Sequence, residues 1–517
     1  MEGEYARRAF PCFDEPNFKA TFATILWYQI DYPWSESNEY YALSNMPLEG
    51  EAECEENWCK ATFQKSAVMS TYLNVYAIVD FGSVLTTTTL EDTPAELFAR
   101  KEAIGERGQS IAEVGQDNPM WFPTRCTERI TDRFGEVLRS YSEMGVPKAD
   151  QIAIPDFNAG AMENWGLVTY REQSLLYDMS RDRFSRKEYV CSVVAHEMAH
   201  MWFGDFITCP WWDELWINEA FATYFSYVGL EQSEDPKLEW DPELKVDNWD
   251  LGRMMIYGDV TSALSADQTI GSNPIVNKEN NGDHNVEGNS GSGSSSITYS
   301  KGGFVIKMMR CHLGDEAFFG GLQNYLEKFQ YSNPTTQDLF QCWDDYIASN
   351  GIETNPTYES PDSPLCGGIG ESLNGPVLSK SFEETFDPWV RQMGYPFLRV
   401  RYNEDGVLTI QQKRFLTNPD EDIAEPPSSY GYVWDVPLAL MMKTGDTVTY
   451  QNSWLAADDT EQVIEIRILV LTNANCIKIL ILDFKYKMRI LAVANQTYLL
   501  QIMNIHQWLG CYTKTRF

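Results

Sequence analysis

The sequence predicts a multidomain α+β chain. A β-rich domain is expected over residues 1–85, a mainly helical domain over 86–390 and a β-sandwich-like domain over 391–517. Length is the first observation: 517 residues, at about 150 per domain, give roughly three domains. The other two are a change of period from two to 3.6 near residue 85 and a return to the strand pattern beyond residue 394.

In the opening domain, residues 19–84 alternate polar with aromatic or β-branched side chains, clearest over 20–27 and 69–80, with Pro and Gly between the runs. The middle domain carries amphipathic helical patterns over 125–143, 186–201 and 220–229. Strand patterns at 397–402, 407–412 and 433–443, separated by Asn, Asp and Gly, make the third domain. Residues 287–296, rich in Gly, Ser and Asn, read as a flexible surface loop, and 351–375 as a second irregular insertion. No internal repeat is present.

Composition excludes several classes. With 40 Lys and Arg against 75 Asp and Glu, the net charge of -35 repels phosphate backbones and anionic lipid, so nucleic acid is not an expected partner. Hydrophobic residues at 43% and charged residues at 22% place the chain among soluble globular proteins. No apolar run approaches the length of a transmembrane helix, and Met1 is followed by Glu2 and Glu4, so neither an anchor nor a signal peptide is expected. The 11 cysteines lack the regular spacing of a disulfide scaffold or zinc knuckle.

The chemistry concentrates around two of the five histidines. His196, Glu197 and His200 form H-E-x-x-H, a pattern chance would place here on the order of once in several hundred such sequences. On a helix, residues i and i+4 share a face, so both imidazoles converge on one ion with Glu197 beside them. Ser185 and Glu188 predict a capping box, Val190, Val193, Val194, Met198 and Met201 an apolar face, and Gly204 the helix end. A catalytic zinc needs a third protein ligand, and Glu219 is the candidate, on a helix that Asn218 can cap; Asp213 and Glu214 compete for the role. Trp211, Trp212 and Trp216 read as packing beside the site.

Segments 6–16 (ARRAFPCFDEP), 69–73 (MSTYL), 160–172 (GAMENWGLVTYRE), 196–204 (HEMAHMWFG), 216–221 (WINEAF), 297–302 (ITYSKG) and 392–397 (QMGYPF) stand in one order along the chain. In them the sequence resembles the gluzincin aminopeptidases, most closely the aminopeptidase N group. The resemblance implies a thermolysin-like catalytic domain holding one Zn2+ per chain through His196, His200 and Glu219. Glu197 is then the general base of a peptide hydrolase and Tyr299 the stabiliser of the tetrahedral intermediate. It implies substrate binding by Gly160, Ala161, Met162, Glu163 and Asn164, with Glu163 and Glu2 on the free α-ammonium group. Peptides with a free N-terminus are the implied partners, and the plasma membrane or the extracellular space the implied location, a soluble cytoplasmic form being the other.

Relative to the family pattern the first domain reads as truncated, and residues after about 461 depart from it. The remaining strands would expose an edge that invites self-association, as in a homodimer. The apolar tail over 463–503 reads as strands or an aggregation-prone end. The competing reading is a catalytically silent truncated fragment or binding scaffold.

Overall fold

A computed structural model of the chain describes residues 5–30, 40–88, 90, 92–231, 246, 249–277, 296–352, 380–402, 408–420, 428–444, 447–457, 461–464, 477–481 and 498–499. Contacts gather the chain into two compact units. Met1–Trp249 with Leu322–Leu339 form one, and Asp250–Gly321 with Phe340–Phe517 the other.

The first unit opens with a four-residue helix, α1 (Ala6–Ala9), and five strands: β1 (Ile25–Gln29), β2 (Tyr41–Ser44), β3 (Glu53–Glu55), β4 (Trp58–Thr62) and β5 (Tyr76–Val79). β1, β4 and β3 make an antiparallel sheet in that order, and β2 pairs with β5. The alternation over 69–80 does not form one strand. Met69 makes a single bridge to Ala20, then Thr71–Leu73 turn as a short 3-10 helix whose Thr71 carbonyl accepts from the Asn74 side chain at 2.9 Å.

Six more strands follow: β6 (Gly82–Thr87), β7 (Pro94–Ala99), β8 (Gln109–Ser110), β9 (Asp150–Ile154), β10 (Ala161–Met162) and β11 (Leu167–Arg171). They form a mixed sheet in the order β10-β11-β9-β7-β6-β8, with parallel pairs β7–β9 and β9–β11 and an antiparallel end strand β10. This sheet occupies the start of the region read as mainly helical. β9 and β11 are covered on both faces, so their sequences, DQIAI and LVTYR, show no simple polar alternation to betray them. The boundary read at residue 85 falls inside β6.

Beside α2 (Lys101–Ile104) and α4 (Glu172–Leu175), the unit holds three longer helices: α3 (Trp121–Val137), α5 (Phe184–His200) and α6 (Trp216–Val228). On α3, Phe122, Cys126, Ile130 and Phe134 recur every four residues and are fully buried. α5 buries Val190, Cys191, Val194, Ala195, Met198 and Ala199. α6 is buried on nearly every side, as a helix at the centre of a core must be. Aromatic rings join these elements: Phe134 meets Trp202 at 5.5 Å and Phe225 at 5.8 Å, and Phe203 stacks on Phe221 at 4.6 Å. Two disulfides lie here, Cys54–Cys59 across β3 and β4 and Cys126–Cys191 between α3 and α5, which the irregular cysteine spacing did not predict.

In the second unit a helix over Phe382–Arg391 is closed at its start by a Ser381–Glu384 capping box. The expected strands appear as β12 (Pro396–Tyr402), β13 (Leu408–Arg414) and β14 (Val436–Thr444), followed by β15 (Thr447–Leu455), β16 (Glu461–Ile464), β17 (Ile477–Ile481) and β18 (Tyr498–Leu499). They make two sheets, β16-β13-β12-β18 and β15-β14-β17. A buried ion pair, Lys301 to Asp267 at 2.7 Å, is tied to the start of β12 through Gly394, whose N–H donates to Asp267 and whose carbonyl accepts from Lys301. The stretches 287–295 and 353–375, and most of the 463–503 tail, lie outside the described residues. No helix among the described residues is long and apolar enough to cross a membrane.

Gly166 closes the turn between β10 and β11 at φ +81°, where a Cβ would stand 2.3 Å from the Asn45 carbonyl oxygen. Gly166→Ala should therefore lower stability by about 1–3 kcal/mol in thermal unfolding. Gly115→Ala, which meets nothing within 4 Å, should leave the midpoint within about 0.5 kcal/mol of wild type.

Candidate active site

The site is built from two helices and a strand end of the first unit. α5 carries His196, Glu197 and His200, and the first turn of α6 carries Glu219. The helix of the histidines begins at Phe184 with Arg183 at its N-cap and no side-chain cap, so the Ser185–Glu188 capping box does not form: Ser185 is already inside the first turn. α5 ends at His200, and the chain turns sharply at Gly204, whose φ of +145° favours glycine and where a Cβ would stand 3.1 Å from His200 Nδ1, a tight contact. That turn brings the Phe203 carbonyl to 2.9 Å from His200 Nδ1. A carbonyl only accepts, so Nδ1 carries the proton and Nε2 keeps its lone pair for a ligand.

His196 Nε2 and His200 Nε2 stand 3.1 Å apart, and Glu219 Oε2 lies 3.4 Å and 3.3 Å from them. Tetrahedral ligands at zinc bond lengths of about 2.0–2.1 Å are separated by about 3.3–3.4 Å, so these three atoms sit where one zinc ion would draw them. Glu219 Oε2 is buried and receives no hydrogen bond among the described residues. A buried carboxylate oxygen without a donor is what an ion site leaves behind when only protein atoms are counted.

The rival third ligands are placed elsewhere. Glu214 accepts from both the N–H and the hydroxyl of Thr336, and neither it nor Asp213 joins the metal-competent groups among the described residues. Asn218 does not cap α6, which starts at Trp216. Its Oδ1 accepts from Cys209 N at 3.0 Å and its Nδ2 donates to the Tyr72 hydroxyl at 3.5 Å. Trp216 is fully buried as expected, while Trp211 and Trp212 are only half-buried.

Glu163 follows β10, the end strand of the six-stranded sheet. The backbone on either side of it is pinned: Ala161 and Met162 pair with Tyr170 and Thr169, and Asn164 accepts from the Thr169 hydroxyl at 2.9 Å and donates to Leu73 O at 3.3 Å. Gly160 accepts from Arg171 N at 2.9 Å. This framing brings ligand atoms of Glu163, Glu197 and His200 within 4.8 Å of one another, all three buried.

Burial pushes the Glu197 carboxyl well above the usual range, the carboxylates Glu163 and Glu219 adding to the rise and His200 opposing it. Burial also disfavours a charged His200, but Glu163, Glu219 and Glu197 outweigh it and raise that imidazole well above its ordinary value. His196 is lowered by burial and by His200. Glu219 is held far below the usual range because the two imidazoles overcome its burial. Glu163, Glu197 and Glu219 crowd around the two imidazoles, a donor set suited to a cation.

Residues 134–354 match the peptidase family M1 domain, and residues 1–73 match the peptidase M1 N-terminal domain. The chain belongs to peptidase family M1. It is 36% identical to the glutamyl aminopeptidase of Bos taurus over 86% of this chain and 39% of that protein. The same identity holds to the glutamyl aminopeptidase of Homo sapiens, over 84% of this chain and 37% of that one. Aminopeptidase N of Bos taurus is 34% identical over 89% of this chain and 41% of its own length. The chain thus spans about two fifths of the length of the curated relatives it matches. M1 peptidases are zinc-dependent in general, and the donor set here fits that ion.

Around the M1 centre lie residues that sequence reasoning did not assign. The Tyr72 hydroxyl donates to Gly204 O at 3.2 Å, at the turn that ends the metal helix. Tyr170 is fully buried, and burial together with Glu197 pushes its phenol well up. Both carboxylate oxygens of Asp205 are buried without a hydrogen-bond donor among the described residues. Only the MSTYL, GAMEN and HEMAH segments that contain or adjoin them gave any signal, and that signal named no role. Tyr299 lies on the π-helical segment Ile297–Lys301 of the second unit. Glu2 lies outside the described residues.

Replacing His196, His200 or Glu219 by Ala should weaken zinc by more than the roughly 10–100-fold that loss of an outer-shell partner costs. Glu214→Gln should leave it unchanged. Metal content after dialysis against buffered zinc checks both.

Proposed function

We propose that this M1 chain is a zinc-dependent aminopeptidase that hydrolyses N-terminal residues from peptides, with His196, His200 and Glu219 holding one Zn2+. The observation that carries the reading is the convergence of Glu163 on Glu197 and His200 within 4.8 Å. A carboxylate beside the general base can hold an α-ammonium group by charge-assisted hydrogen bonds, a group that an internal peptide bond lacks. The printed names of the relatives, glutamyl aminopeptidase and aminopeptidase N, agree with this class.

Zinc, when bound, supplies Lewis acidity that polarises a carbonyl and acidifies water. Glu197 takes the proton of the attacking water on a carboxylate oxygen. It then passes that proton to the leaving amine. Glu163 anchors the substrate's ammonium group and thereby sets which peptide bond meets Glu197. Gly160, Ala161, Met162 and Asn164 give the anchor its backbone frame, and β10, the end strand of the sheet among the described residues, offers its free side to an extended substrate. Tyr299 is assigned to donate its hydroxyl to the developing oxyanion, and Glu2 to share the ammonium group.

Around this core we assign a thermolysin-like catalytic domain over 86–390, an N-terminal domain over 1–85 and a β-sandwich-like domain over 391–517, the last supported by its two sheets. An extracellular-facing location is supported by the disulfides Cys54–Cys59 and Cys126–Cys191, a pairing that oxidising compartments favour. Self-association as a homodimer is supported by β1, which lies at the end of its sheet and exposes Ile25 and Trp27.

The purified chain should cleave unblocked aminoacyl reporter amides and leave their N-acetylated counterparts intact. Glu197→Gln should lower kcat by about 10²–10⁴-fold with zinc retained, and Glu163→Gln should lower kcat/KM by about 10–100-fold. Zinc-loaded wild-type protein that cleaves neither series would overturn the proposal in favour of a silent scaffold, and equal cleavage of both series would make the chain an endopeptidase.

A further inference from the structure

α5 is the element on which the reading above rests, since it carries two ligands and the general base. Cys191 lies five residues before His196 on this helix and is joined to Cys126 of α3, with a Cα–Cα separation of 5.9 Å and both residues fully buried. At 100° per residue, His196 and His200 stand about 140° and 180° round the helix from Cys191. The bond therefore grips the back of the helix while the ligands project from the front. A second tie lies further along the same back face. Gln151 of β9 donates to the hydroxyl of Thr127, the residue after Cys126, at 2.6 Å, and reaches Met198 Sδ at 3.7 Å.

We propose that the Cys126–Cys191 disulfide is a positioning element of the metal centre, fixing the rotation of α5 about its own axis so that His196 and His200 stay in register with Glu219. Magnitudes favour this over a merely stabilising role. An imidazole nitrogen lies about 6 Å from the helix axis, so a 10° rotation moves it about 1 Å, against a tolerance of about 0.2 Å in zinc–ligand distance. Apolar packing by Val190, Val194 and Ala195 is non-directional and sets the rotation less sharply than a covalent tie to α3.

The test begins with non-reducing peptide mapping of the full chain, which should recover the peptides of Cys126 and Cys191 joined; two free thiols there would overturn the proposal. In Cys126→Ala/Cys191→Ala, zinc release to a competing chelator should be about tenfold faster than in wild type, a loss of the size outer-shell partners produce. kcat should fall with KM unchanged, because Glu197 moves with the helix while Glu163 on its strand does not. Cys54→Ala/Cys59→Ala, which removes the other disulfide, should keep the wild-type release rate. Should the alanine pair fail to fold, wild-type protein reduced by a phosphine, with reduction verified by mapping, gives the same comparison. Unchanged zinc release and kcat, with only a lower melting temperature, would show a structural bond and overturn the inference. A wild-type chain that takes up no zinc would overturn the metal reading itself.

Discussion

Two imidazole nitrogens 3.1 Å apart, with a buried carboxylate oxygen within 3.4 Å of each, are the constraint on which the rest of the first unit depends. Bringing such groups together in a low-dielectric interior is costly unless a cation lies among them. The neighbours deepen the demand, since Glu163 and Glu197 are also buried beside His200. The fold answers by making the surrounding elements stiff. α6 is buried on almost every face, α5 is tied to α3 by a covalent bond, and the turn at Gly204 fixes the tautomer of His200 through the Phe203 carbonyl.

The residues of the centre come from different elements. The mixed sheet holds Glu163 through the pairing of β10 with β11 and the side chain of Asn164, while the helices hold His196, His200, Glu219 and Glu197. On the proposed function, a substrate anchor on one element and a proton carrier on another can be tuned independently, which suits an exopeptidase whose register is set by the chain end. On the same proposal, the buried carboxylates serve two purposes, drawing in a metal cation and a substrate ammonium group with one field.

Much of this centre was legible because its chemistry is local. Four residues of separation on one helix put His196 and His200 together, and rare histidines made the pattern stand out. The third ligand was less legible: Asp213 and Glu214 compete with Glu219 on sequence grounds, and it takes the fold, which sends Glu214 to Thr336, 122 positions away, to separate them. Both helix starts were misread, because Ser185 and Asn218 have cap-forming side chains but fall inside the first turns, where tertiary packing of α5 and α6 decides the boundary. The six-stranded sheet was hidden because strands covered on both faces lose their alternation. The Cys126–Cys191 bond was hidden because its partners lie 65 residues apart. Glu163 carried meaning only through its family segment, for nothing in the local sequence shows that a strand end will deliver it to the histidines.

The most direct test of the central claim is X-ray absorption at the zinc edge of the purified full chain. Two imidazole nitrogens and carboxylate or water oxygens at about 2.0–2.1 Å around a single zinc are the predicted result. Sulfur in the first shell at about 2.3 Å, or an edge signal unchanged when His196 and His200 are replaced, would contradict it.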